Sequence, residues 1–63
     1  MGLRPATKEE MERARAEGHE CETRILGVLR GGYEIDGIFY FMAGMDPKSV
    51  DLRNSGMTIR FLG

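Results

Sequence analysis

Two side chains in this sequence are of the types that ligate metals or form nucleophile pairs: His19 and Cys21, one residue apart. In a strand they would project to the same side. A structural zinc normally takes four ligands, and with one His and one Cys in the chain, carboxylates would have to supply half the shell. A two-fold dimer contributing two such pairs would improve that count. As a nucleophile, Cys21 would need an imidazole to stabilise its thiolate and a third group to orient that base. Glu20 and Glu22 flank it instead, and negative charge raises a thiol pKa. The expectation is a polar segment with an isolated cysteine: no catalytic residue, no metal, no cofactor.

The other chemistry-bearing types are weaker. Glu9, Glu10, Glu12 and Glu17 fall on a charged helical face beside Arg13 and Arg15, where they serve solubility. Gly27, Gly31 and Gly32 lack a following Lys-Ser/Thr and a downstream helix, so they match no phosphate loop. Turn chemistry accounts for them.

One segment asks for a different explanation. Ile38-Phe39-Tyr40-Phe41-Met42-Ala43 is apolar on both parities. In a sheet with one face under a helix and the other in water, the outward set should be polar. Either this strand is covered on both sides or its outward face is a contact surface, because small monomers seldom leave such a patch bare. Ile38, Tyr40 and Met42 are the partner-binding candidates, Tyr and Met being enriched where proteins meet.

The elements that must position these residues begin with Thr7-Lys8-Glu9-Glu10, a capping box that starts a helix at about Lys8. Residues 1–6 are expected to be a flexible arm. Gly18 suits the left-handed position after a helix. Yet Met11, Ala14, Gly18, Cys21, Ile25 and Val28 also fit the spacing of one long helix ending at Gly31-Gly32, at a cost of about 1 kcal/mol for each interior glycine. A stop near Gly18 is the preferred reading.

From Cys21 to about Leu62 the pattern is that of a β-meander. Gly31-Gly32 suits a tight hairpin turn; Asp36-Gly37 does equally, pairing Ile35 with Ile38 and Tyr33 with Tyr40. Both turns cannot close the same ladder. Under the Gly-Gly reading, Tyr33, Ile35, Gly37, Phe39 and Phe41 share the core side of one long strand and Asp36-Gly37 becomes a bend. Ala43 to Lys48 reads as a connection with Pro47 in a type I turn, and Ser49 to Arg53 as a short strand. After the Asn54-Ser55-Gly56 turn, Met57, Ile59 and Phe61 alternate as the inward set of a last strand. Phe39, Phe41, Ile59 and Phe61 are the expected core. The fold class is α+β: one N-terminal helix packed on an antiparallel meander of three or four strands, in a single domain.

With 63 residues the chain has room for one small core. A lone cysteine and no secretory or membrane-spanning apolar stretch point to a soluble cytoplasmic protein. Nine basic and ten acidic residues are mixed along the sequence, giving a formal net charge of -1 and no basic block to track phosphates. The function expected is therefore a non-enzymatic protein-binding module that docks on a larger assembly and modulates or inhibits it, or that self-associates as a homodimer. Stand-alone chains of this length include bacterial and phage regulators, an analogy rather than a deduction. No small-molecule substrate is expected. The competing expectation is single-stranded nucleic-acid binding, with Tyr33, Phe39 or Tyr40 stacking bases and Arg24, Arg30, Arg53 or Arg60 holding phosphates.

Overall fold

In the computed structural model, which describes residues 2–63, Thr7 sets where the helix begins. The Glu10 amide donates to Thr7 Oγ1 at 3.0 Å, and the Thr7 amide donates to Glu10 Oε1 at 2.8 Å. Two of the amides that every helix start leaves unpaired are thereby satisfied. Helix α1 runs Lys8–Glu17 and ends at Gly18, whose amide donates to the Ala14 carbonyl at 2.7 Å. Gly18 has φ -82, so the stop uses extended backbone rather than the left-handed cap. Met11 and Ala14 are the buried residues of α1.

The helix is not the first element. Leu3–Pro5, expected within a flexible arm, form strand β1 against Asp46–Asp51, strand β5. Between them in sequence come β2 (His19–Ile25), β3 (Val28–Ile35) and β4 (Ile38–Ala43), and Arg60–Phe61 make β6. The sheet thus has six strands in the order β1-β5-β4-β3-β2-β6, all paired antiparallel, where three or four had been expected. The extra strands are the short edges. Two or three residues carry too little periodic pattern to announce a strand, and a tertiary partner decides the matter.

Asp36-Gly37 closes β3 onto β4, with Ile35 opposite Ile38 and Tyr33 opposite Tyr40. Gly31-Gly32 is no turn; it lies inside β3. The pairing of β3 with β4 runs only from Tyr33 to Ile35, while Gly31 and Gly32 pair with β2 alone. At Gly32 a Cβ would strike the Tyr40 carbonyl oxygen and two ring atoms of Phe39, the latter at 2.9 Å. The missing side chain is what lets the Phe39 ring cross β3 toward β2.

That crossing forms the core. Cys21, Ile25, Phe39, Phe41 and Val50 make one buried cluster, with Phe39 and Phe41 stacked at 5.6 Å between ring centroids. Each such large apolar side chain contributes about 1.5 to 3 kcal/mol on full burial. Ala43, Leu52, Met57 and Ile59 pack against the cluster from its margin. The returning segment is fastened to β2 by Thr23 Oγ1, which donates to the Thr58 carbonyl at 2.6 Å, and by the Leu62 amide, which donates to Glu20 O at 2.9 Å.

The last-strand alternation therefore holds for Met57 and Ile59, but Phe61 is 55% exposed and is not a core residue. Only two residues there join the ladder, at the edge of the sheet, where Phe61 is left largely open to solvent. The other β-face carries Tyr33, Ile35, Ile38, Tyr40 and Met42, as the register of β3 and β4 requires. Helix α1 packs on β3, β2 and β4, with Arg13 reaching Asp36 at 3.7 Å. Strand β4 is apolar on both parities because the aromatic cluster lies to one side and α1 to the other.

Candidate binding surface

The capping box fixes the rotation of α1, and Met11 and Arg15, one turn apart, project on the same side. Met42 comes to meet them from β4. Two neighbouring clefts share these three residues. One, of about 220 Å³, continues to Tyr33, the Gly31-Gly32 backbone and Leu62. The other continues to Met45 and Pro47.

Met45 is placed by a tighter turn than the expected connection from Ala43 to Lys48. Ala43 pairs with Asp46, so Gly44-Met45 is a two-residue loop, and Pro47 belongs to β5 rather than to a type I turn. At this tip Met45 is 91% exposed; Met42 is 37% and Leu62 46% exposed. Met42, Met45 and Leu62 thus expose apolar surface in two adjoining clefts that share Arg15 and are floored by the buried Met11, and among the described residues Arg15 has no acidic partner within 4.0 Å.

The predicted trio of Ile38, Tyr40 and Met42 shares a sheet face but not a site. Ile38 and Tyr40 line a separate cleft with Arg4, Glu10, Asp51 and Arg53, while Met42 joins the methionine surface. Both are half-buried. Burial pushes the Tyr40 hydroxyl pKa up, the nearby Glu10 and Asp36 carboxylates act in the same direction, and Arg13 opposes them. Tyr40 is therefore a neutral phenol at physiological pH. In the same cleft, Arg53 donates from Nε and Nη2 to the two Asp51 oxygens at 3.0 and 3.1 Å. Those bonds, with the Arg53 amide at 2.9 Å, hold the Asp51 carboxyl below the usual carboxylate range.

His19 and Cys21 share a face of β2, as their spacing implies. Cys21 is completely buried, and burial, with Glu34 and Glu20 adding to it, pushes its thiol up to about 11. It is thus a protonated core residue without nucleophilic character at neutral pH. His19 meets the edge of Phe61 at 6.2 Å. Among the described residues no three His, Cys, Asp or Glu side chains converge as metal ligands.

The nucleic-acid constellation is dispersed. Phe39 is fully buried and cannot stack a base. Tyr33 and Tyr40 are half-buried on the helix-covered face. Arg53 is engaged by Asp51 and Arg60 by Glu22, while Arg30 lies over the Phe41 ring at 5.8 Å. No helix among the described residues is long and apolar enough to cross a membrane.

Comparison with known protein families, with characterised proteins and with solved structures finds no match to this chain. The surface itself therefore carries the functional argument. Sequence reasoning reached Met42 but missed Met11, Met45 and Leu62. The available signals were the lone Met on the apolar stripe of α1 and the alternation of β4, which ends at a Gly-Met turn.

Proposed function

We propose that the chain is a small non-enzymatic protein-binding module that docks on a larger assembly through the methionine surface and modulates it. The observation that carries the reading is the exposure of Met42, Met45 and Leu62 along two adjoining clefts that share Arg15. Methionine is flexible and polarizable, so it adapts to an apolar partner surface, and it is enriched at interfaces. Arg15 adds a directional charge that selects a carboxylate on the partner. A reducing compartment belongs to the proposal, since Cys21 is buried and unpaired.

The test is a paired capture and sedimentation experiment with the parent chain and a Met42→Lys/Met45→Lys variant. Both side chains are exposed enough to leave the fold intact. The parent is expected to retain a discrete protein, or to sediment as a dimer if the partner is a second copy, and the variant to lose either behaviour. Equal retention by parent and variant would reject this surface.

A further inference from the structure

The chain contains two hairpins of the same kind with different residues in the same place. Ile25 pairs with Val28 and Ile35 with Ile38, so Leu26-Gly27 and Asp36-Gly37 are both two-residue turns. Their backbones coincide, with φ 52 and 81 in the first and 54 and 80 in the second. Positive φ at both central positions favours Asn or Asp followed by Gly, because a short polar side chain tolerates the left-handed region and other side chains do not. The second turn has the Asp. The first has a leucine that bears this backbone cost and is also 77% exposed, so folding gains from it neither locally nor by burial.

Its surroundings continue the theme. Val28 and Leu29 beside it are 50% and 54% exposed. Leu29 and Met57 form part of a neighbouring cleft rimmed by Arg24 and Arg60, with Glu22 the single acid among the lining residues. Glu22 is taken up by Arg60 at 3.6 Å, and among the described residues Arg24 has no acidic partner within 4.0 Å. A chain of net charge -1 thus presents a locally basic, apolar knob beside a concavity. A flat bilayer would engage the knob and leave the concavity empty. A protein segment can fill both.

We propose that the β2–β3 hairpin tip is a second docking site, in which Leu26 inserts into a partner protein and Arg24 pairs with acidic residues flanking the apolar segment that occupies the cleft. It goes beyond the methionine surface, with which it shares no residue. A backbone outlier that neither burial nor local preference rewards, at an exposed tip, is the kind of strain that points to contact.

The experiment uses the isotope-labelled full chain, titrated by NMR with a short synthetic peptide of Asp and Glu with Phe and Leu interspersed. A counterpart with Lys for every acid and phosphatidylserine vesicles serve as separate arms. Saturable shifts at residues 22–30 and 57–60 are expected from the acidic peptide and not from its Lys counterpart or the vesicles. Leu26→Asn should melt at or above the parent temperature and bind at least tenfold more weakly, and Leu29→Gln should bind more weakly in the same way. Met42→Lys should leave these shifts unchanged, which separates this site from the methionine surface. Absence of shifts at the tip, equal response to the Lys peptide, undiminished binding by Leu26→Asn, or a lowered melting temperature in that variant would each overturn the proposal. So would a tip that responds to the vesicles and not to the peptide.

Discussion

Gly31 and Gly32 are adjacent in sequence and opposite in consequence, and substituting each by Ala tests the packing of the core. A Cβ on Gly32 would meet the Phe39 ring at 2.9 Å and run into the Tyr40 carbonyl. The ring cannot retreat, being fully buried and stacked on Phe41, and the carbonyl belongs to the backbone of β4. Overpacking of this sort costs about 1 to 3 kcal/mol, offset by the roughly 0.4 to 1 kcal/mol that Ala removes from the entropy of the unfolded chain. A net loss of about 1.3 kcal/mol is large against the ~3 to 9 kcal/mol expected for a domain of this length. It should lower the melting temperature by roughly 5 to 10 °C. A Cβ on Gly31 meets nothing within 4 Å, and its φ is not positive, so Gly31→Ala should be neutral or slightly stabilising. Thermal and urea unfolding of the two variants, followed by circular dichroism, read the difference directly. Melting temperatures within about 2 °C of each other would refute the account of how Phe39 crosses β3.

Thr7→Ala should cost about 1 kcal/mol in urea unfolding and weaken the helical signal, since it removes the oxygen that accepts from the Glu10 amide. The Cys21 thiol, held at about 11 by burial, should react with a disulfide reagent at pH 8 only as fast as the domain opens, and mild urea should accelerate the reaction. Because the folded-state pKa of Asp51 is depressed, its contribution to stability is present above the ordinary carboxylate range and is lost as pH falls through the folded value. Asp51→Asn should accordingly be less stable than the parent at neutral pH and show a shallower loss of stability on acidification, measured by melting across the acid range.

Local chemistry was the legible part of the sequence. Thr7 and Glu10 define the helix start by themselves, and Phe39 and Phe41 alternate within a run long enough to fix their parity. Asp36-Gly37 and Gly31-Gly32 were indistinguishable as turns because both satisfy the same local rule. What separates them is a contact between Gly32 and Phe39 seven residues away, which no local pattern records. Leu3–Pro5 and Arg60–Phe61 became strands only by finding β5 and β2. Phe61 carried the correct alternation for a core residue and lies exposed at the sheet edge. The candidate surface was half legible for the same reason. Met42 follows from the parity of β4, whereas Met11, Met45 and Leu62 join it from a helix, a turn and the chain end.

If the methionine surface is a docking site, Met42 and Met45 face a partner protein. Placing a photoreactive amino acid at position 45, and separately at Asn54 on an exposed turn remote from the methionine clefts, tests it in extracts of the source cells. A crosslink of discrete mass is expected from position 45, abolished by Met42→Lys in the same chain, with none from position 54. Equal labelling from both positions, or a crosslink from position 45 that survives Met42→Lys, would contradict it.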